Sequence, residues 1–179
     1  MRSLLASEED PRDRIITFLP DMRAFARSLT RNEAAADDLV QDAVIKAWKN
    51  FHQFRSNTNL RAWLFTIVRN TFYTDLRRQR RELHFAEDSR LHAVSEDPGA
   101  NKIMVVMDFE KAFFQLPADQ REALILVGAS GLSYEEAAET CGVAMGTIKS
   151  RINRGRKRLA ELLDDHVEPS EPEDGPRPC

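Results

Sequence analysis

The chain has little of what disulfide bracing, metal binding or membrane insertion requires. Its 179 residues include two cysteines, Cys141 and Cys179, too few for a disulfide framework and in no metal-ligand spacing. Its four histidines, His52, His84, His92 and His166, fall in no HExxH or comparable pattern. No GxGxxG or P-loop occurs, and GASG at 128–131 follows a helical apolar run rather than a strand. No run approaches the roughly 18 apolar residues a membrane helix needs, and the N-terminus lacks a secretory apolar stretch. Asp37, Asp38 and Asp42 sit on one face of one helix, which gives a cation too little coordination and suits a basic partner better. The expectation is a cytoplasmic protein that is not an enzyme, with no cofactor, no metal and no membrane contact.

Charge is abundant but segregated. The net charge of -3 argues mildly against a nucleic-acid binder, yet the distribution says otherwise. Arg61 to Arg81 holds six arginines against Asp75 alone, and Met145 to Arg158 holds six basic residues and no acid. Glu161 to Cys179 reverses the sign, with seven acids against Arg177. Such blocks mark separate surfaces.

Hydrophobic periodicity predicts helices throughout and no strand. Over 13–30, Ile16, Leu19, Phe25, Ala26 and Leu29 fit one apolar face, with Pro20 marking a boundary or kink. Over 34–50, Leu39, Val40, Ala43, Val44, Ala47 and Trp48 recur at three and four. Residues 51–59, FHQFRSNTN, break the pattern before a helix packed through Leu60, Trp63, Leu64, Ile67, Val68, Thr71, Phe72 and Leu76. The chain therefore reads as all-α: a helical domain over 13–82, a flexible acidic linker over 83–102, a second helical domain over 103–165 and a disordered acidic, proline-rich tail over 166–179.

The second domain carries the sharpest motif. In GLSYEEAAETCGVAMGTIKSRINRGRKR (131–158), Ser133 and Glu136 form a capping box, and Gly142 stops the first helix by adopting the left-handed conformation. Val143 plugs the turn, and a second helix starting near Met145 turns Ile148, Ile152 and Leu159 inward. Its other face carries Lys149, Arg151, Arg154, Arg156 and Lys157. This is the pattern of a helix-turn-helix whose second helix enters the major groove. Gly146, Thr147, Lys149, Ser150 and Arg151 stand where base edges would be met, and Arg154, Arg156, Lys157 and Arg158 where phosphates would.

The first domain concentrates aromatics around a polar loop. Trp48, Trp63, Phe65 and Phe72 are expected in the core, whereas Phe51 and Phe54 flank the loop as core or as walls of a recess. Arg55, Ser56, Asn57, Thr58 and Asn59 offer charge, hydroxyls and amides suited to holding an unstacked base by its edge. The simpler reading, that Asn57 and Asn59 only terminate helices, stays open. Arg77, Arg78, Arg80 and Arg81 follow as phosphate-tracking side chains.

Taken together, these segments resemble the extracytoplasmic-function sigma factors of the sigma-70 family, over roughly residues 15–81 and 105–163. DDLVQDAVIKAW (37–48) resembles the family's core-polymerase-binding segment, which implies roles for Asp38, Leu39, Gln41, Asp42 and Lys46. NLRAWLFTIVRNTFYTDLRRQRR (59–81) resembles the helix that engages and opens the -10 element, adding Arg61, Asn70 and Tyr73 to the loop and the terminal arginines. YEEAAETCGVAMGTIKSRINRGRKRL resembles the module that reads the -35 element. The wording VGASGLSYEEAAETCGVAMGTIKSR is similar to the subclass that directs the general stress response in alphaproteobacteria. That resemblance implies core RNA polymerase, -35 duplex and melted -10 DNA as partners, and nucleoid association within the holoenzyme. It also implies a small helical anti-sigma protein, displaced by a response regulator carrying a sigma-like domain. No receiver domain fits in this length, so a genuine factor is favoured over such a regulator. A conventional helix-turn-helix regulator with an N-terminal sensing domain is the competing reading.

Overall fold

The computed structural model describes residues 10–85 and 104–164. Most of the expected linker and all of the expected tail lie outside these residues. Among the described residues the fold is helical throughout.

Pro11–Phe18 winds as a 3-10 helix into α1 (Leu19–Thr30). Pro20 stands in the first turn of α1, where a missing N–H leaves no bond unmade. The lead-in has three residues per turn, not 3.6. Ile15 is thereby turned into the core and Ile16 is left 63% exposed, which corrects the single apolar face expected over 13–30. Helix α2 (Glu33–Lys49) is capped by Asn32, whose Oδ1 accepts from the Ala35 N–H at 2.9 Å. It buries Ala36, Leu39, Val40, Ala43 and Ala47. Trp48, expected in the core, is 46% exposed. It lies one position past the stripe, with the Arg12 guanidinium 5.0 Å from its ring centroid. After a 3-10 turn over Phe51–Gln53, α3 (Leu60–Phe85) begins. It runs three residues into the segment expected to be linker.

The second module comprises α4 (Met104–Gln115), α5 (Ala118–Leu124), a π-helical turn over Ile125–Ala129, α6 (Tyr134–Cys141) and α7 (Met145–Asp164). Helices α5 and α7 approach closely at Gly155, where a Cβ would come within 2.9 Å of Leu124 Cδ1 and 3.3 Å of Gln120 Cβ. Ala112, Phe113 and Leu116 of α4 and its following turn pack with Leu162 of α7 in a small separate core.

The two modules are packed on one another. Helix α1 lies against α5, and α3 against α6. Leu126, Leu132, Ala137, Ala138, Cys141, Ile148 and Ile152 join the same buried cluster as Phe25, Leu64, Phe65 and Val68. Polar contacts bind the seam as well. Buried Arg121 donates from Nε to the Ser28 carbonyl at 3.1 Å, and Arg27 pairs with Glu110 at 3.4 Å.

Candidate nucleic-acid and polymerase interfaces

The helix-turn-helix has the expected local chemistry. The Ser133 Oγ accepts from the Glu136 N–H at 3.1 Å, and Glu136 Oε2 accepts from the Ser133 N–H at 2.8 Å. Two otherwise orphaned helix N–H groups are thus satisfied reciprocally. Gly142 takes φ 65°, and the Val143 N–H closes back onto the Ala138 carbonyl at 3.0 Å. Ile148 and Ile152 anchor α7 in the core. Gly146, Lys149, Ser150, Arg154, Arg156, Lys157 and Arg158 are exposed, and Thr147 is half-buried. Lys149 Nζ lies 5.8 Å from the Tyr134 ring centroid. The Arg154 Nε donates to the Ser150 carbonyl at 3.3 Å, and Arg158 pairs with Glu161 at 3.3 Å. Arg151 departs from the expected free basic face. Its side chain is 18% exposed and its Nε is 3.0 Å from Asp119 Oδ2 on α5.

In the first module, Phe51, Phe54 and Trp63 form a mutual aromatic triad, with ring centroids 5.4–5.9 Å apart. The two phenylalanines are half-buried. Next along the chain, Arg55, Ser56, Asn57 and Thr58 are exposed, and the Thr58 Oγ1–H and N–H both donate to the Arg55 carbonyl, at 2.7 and 2.9 Å. Beside Trp63 an open recess of about 370 Å³ is lined by Lys46, Asn50, Gln53, Asn70 and Thr71 among others. Lys46 Nζ donates to Thr71 Oγ1 at 3.2 Å. Arg77, Arg78, Arg80 and Arg81 are exposed along α3.

Three of the expected -10 residues are otherwise engaged. Asn59 caps α3, its Oδ1 accepting from the Arg61 N–H at 3.0 Å, while its Nδ2 donates to Glu136 Oε1 of the second module at 2.8 Å. Arg61 pairs with Asp21, donates to the Ser130 carbonyl and lies 5.6 Å from the Phe18 ring centroid. Tyr73 is half-buried under the Arg69 guanidinium, 4.7 Å from its ring centroid, and burial raises its phenol pKa.

On α2, Asp38, Gln41, Asp42 and Lys46 are exposed, but Leu39 is packed inside. Lys46 turns toward the recess rather than the acidic edge. Ile45, 51% exposed, shares the outer face with Asp38, Asp42 and Trp48. Sequence reasoning passed over Ile45. Its position outside the 3-4 stripe was the available signal.

A buried charge cluster at the module seam was also missed. Arg69 Nε lies 2.6 Å from Glu122 Oε1, with the Glu122 side chain 1% exposed. Burial raises the Glu122 pKa, and the neighbouring Arg69 pulls against that shift. The Cys141 thiol beside them is pushed up to about 12, chiefly by burial. It is therefore un-ionised and poorly nucleophilic at neutral pH.

Two helical modules, one presenting an exposed polar loop and arginines, the other a capped helix-turn-helix, define a protein that reads DNA at two places. The comparisons with known proteins agree. Residues 15–82 match Sigma-70 region 2, and residues 107–159 match Sigma-70, region 4. The ECF RNA polymerase sigma factor EcfG of Rhodopseudomonas palustris is 51% identical over 152 residues, covering 85% of this chain and 84% of that protein. The sigma factor RpoE of Bartonella quintana, solved in complex with the anti-sigma factor NepR, shows 47% identity and a TM-score of 0.74 over 87% of this chain and 97% of that one. The PhyRSL–NepR complex from Sphingomonas sp. Fr1 shares the fold alone, at 14% identity and a TM-score of 0.62 over 94% and 98% of the two chains. The chain belongs to the sigma-70 family, among its extracytoplasmic-function members. It is a non-catalytic subunit that directs core RNA polymerase to promoters, and the conventional-regulator reading is set aside.

Proposed function

We propose that the promoter is divided between the two exposed surfaces. Residues Arg55, Ser56, Asn57 and Thr58, with Asn70 of the recess, hold an unpaired -10 base beside the aromatic triad, joined by Asn59, Arg61 and Tyr73 when the modules separate. Arg77, Arg78, Arg80 and Arg81 follow the phosphates and assist strand opening. Gly146, Thr147, Lys149, Ser150 and Arg151 meet -35 base edges, and Arg154, Arg156, Lys157 and Arg158 meet phosphates. Asp38, Gln41 and Asp42, with Ile45 beside them, bind the polymerase. The observation that carries this reading is the exposed, amide-bearing loop that follows directly in the chain on the Phe51–Phe54–Trp63 triad. A base needs edge partners and a flat apolar neighbour together. The test measures holoenzyme affinity for -10 single strands differing at one base. An Asn57→Ala variant that keeps the parent's full preference refutes the base-holding role.

The likeness to RpoE supports a second element. A small helical anti-sigma protein covers both modules, a response regulator with a sigma-like domain draws it away, and the regulon belongs to the general stress response. Exposed Trp48 on the first module and Phe109 on the second suit the apolar face of such a partner. Trp48→Asp and Phe109→Asp are expected to abolish co-purification with a small helical anti-sigma protein. Undiminished capture by both variants counts against this surface.

A further inference from the structure

Four charges meet at the seam between the modules. Helix α3 contributes Arg69, α5 contributes Glu122 and Asp119 one turn apart, and α7 contributes Arg151. Arg69 pairs with Glu122 and Arg151 with Asp119, and both arginines act electrostatically on Glu122. Around the cluster, Asn59 donates to Glu136, Thr66 Oγ1 lies 3.4 Å from Thr140 Oγ1, and Arg61 reaches the Ser130 carbonyl. The seam thus occupies side chains of α3 with partners from the second module, while the Arg151–Asp119 pair lies within the second module.

We propose that the Arg69–Glu122 pair, flanked by the Arg151–Asp119 pair of the second module, is a latch that holds the free chain closed and withholds Asn59 and Arg61 from promoter DNA until polymerase separates the modules. The physical argument is the cost of a half-opened pair. A buried ion pair adds little net stability over an apolar contact, but removing one partner leaves an uncompensated charge. Such a seam is held in register while it is shut and has no stable partly opened form. Opening exposes Glu122 and Arg69 to water together, which repays their desolvation and makes separation reversible. A ligand that binds only the open form has its apparent affinity reduced by the open fraction. The latch therefore lowers the free chain's affinity for core enzyme and DNA alike. This inference rests on the proposed -10 roles of Asn59 and Arg61, but the closed state itself is measured without DNA.

Cys141 reports on the seam, because its thiol is buried beside Arg69. The full chain carrying Cys179→Ser leaves it as the sole cysteine. Its alkylation by iodoacetamide is expected to be slow. It should accelerate about tenfold or more in Arg69→Glu, which sets two carboxylates together, and slow again in the swap Arg69→Glu/Glu122→Arg. Circular dichroism verifies that each variant is folded. Because Arg69 lies outside the proposed polymerase and DNA contacts, Arg69→Glu should also bind core enzyme about tenfold more tightly if closed chains outnumber open ones tenfold. Parent Cys141 reacting as fast as in the denatured chain would overturn the latch. So would equal rates in Arg69→Glu and the swap, or an opened seam with unchanged core affinity. The single-strand measurement on Asn57→Ala is independent of all three outcomes, so the -10 assignment and the latch fail separately.

Discussion

Glu136 holds two partners at once, and the energetics of that sharing can be measured. Its Oε2 caps α6 through the Ser133 N–H and its Oε1 accepts from Asn59 Nδ2, each at 2.8 Å. Losing a helix-capping interaction costs about 1 kcal/mol. A hydrogen bond to a charged acceptor at an exposed site adds about 0.5–1 kcal/mol. Glu136→Ala should therefore lower stability by about 1.5–2 kcal/mol. Asn59→Ala loses the same seam bond together with the cap on the Arg61 N–H, and should cost a similar amount, about 1.5–2 kcal/mol. The double variant should cost less than the sum by the energy of the shared bond, about 0.5–1 kcal/mol. Urea titration of the three variants and the parent, read by far-ultraviolet circular dichroism, gives the cycle directly. Ser133→Ala paired with Asn59→Ala is the control, since those side chains share no bond and their costs should add. Additivity of the Asn59 and Glu136 changes within about 0.3 kcal/mol would refute the reasoning, because the seam would then leave Asn59 unengaged in solution.

Other outcomes follow from burial and charge. Asp38→Ala or Asp42→Ala should weaken core-enzyme binding by about 2 kcal/mol in a competition assay and leave the melting temperature unchanged, both side chains being exposed. Lys149→Ala should cost about 1–3 kcal/mol of discrimination among -35 duplexes, whereas Arg156→Ala should weaken all sequences evenly and lower the salt slope by about 1. Glu122→Gln leaves Arg69 without its partner at every pH, but its stability relative to the parent should rise as pH rises, because only the parent titrates at this position. The folded pKa of Glu122 is raised by burial above 4.5, so its contribution to stability is fully present below 4.5 and is lost as pH rises through the raised value. Arg69 and Tyr73 on α3, Asp119 on α5, Cys141 on α6 and Arg151 on α7 face it and are common to both proteins. Thermal unfolding from pH 4 to 8 should show the variant gaining on the parent as pH rises, and parallel curves would count against the sign of the shift.

Local signals in the sequence carried most of the fold. Ser133, Glu136 and Gly142 act through bonds and dihedrals spanning a few residues, so the helix-turn-helix was readable before any tertiary information. The stripe Leu39–Val40–Ala43–Ala47 was readable for the same reason. Errors arose where one residue's rotation about a helix decides exposure. Ile16 sits in a 3-10 lead-in, and Trp48 at the edge of its stripe, and both came out exposed. Leu39 shows the reverse case, since the segment proposed to bind polymerase also includes residues whose side chains pack inward. The shared core was not legible because Ala137, Ala138 and Leu126 look alike whether they pack within a module or against its neighbour.

The Arg69–Glu122 pair makes the same point through charge. An arginine inside a basic helix reads as one more phosphate contact, and a glutamate in QREALIL reads as solvent-facing. Only the packing of α3 against α6 and of α1 against α5 brings the two together and buries the glutamate. The basic character of α3 therefore serves two purposes at different positions. The terminal arginines stay exposed, whereas Arg61 and Arg69 engage partners in the second module. The two proposed roles of α3 are separated along its length, since Arg77, the first of the terminal arginines, stands eight positions beyond Arg69, about 12 Å of helix. The division also predicts which mutations report on which function: changes at Arg77, Arg78, Arg80 and Arg81 are expected to act on bound DNA, and changes at Arg69 on how often the modules are apart.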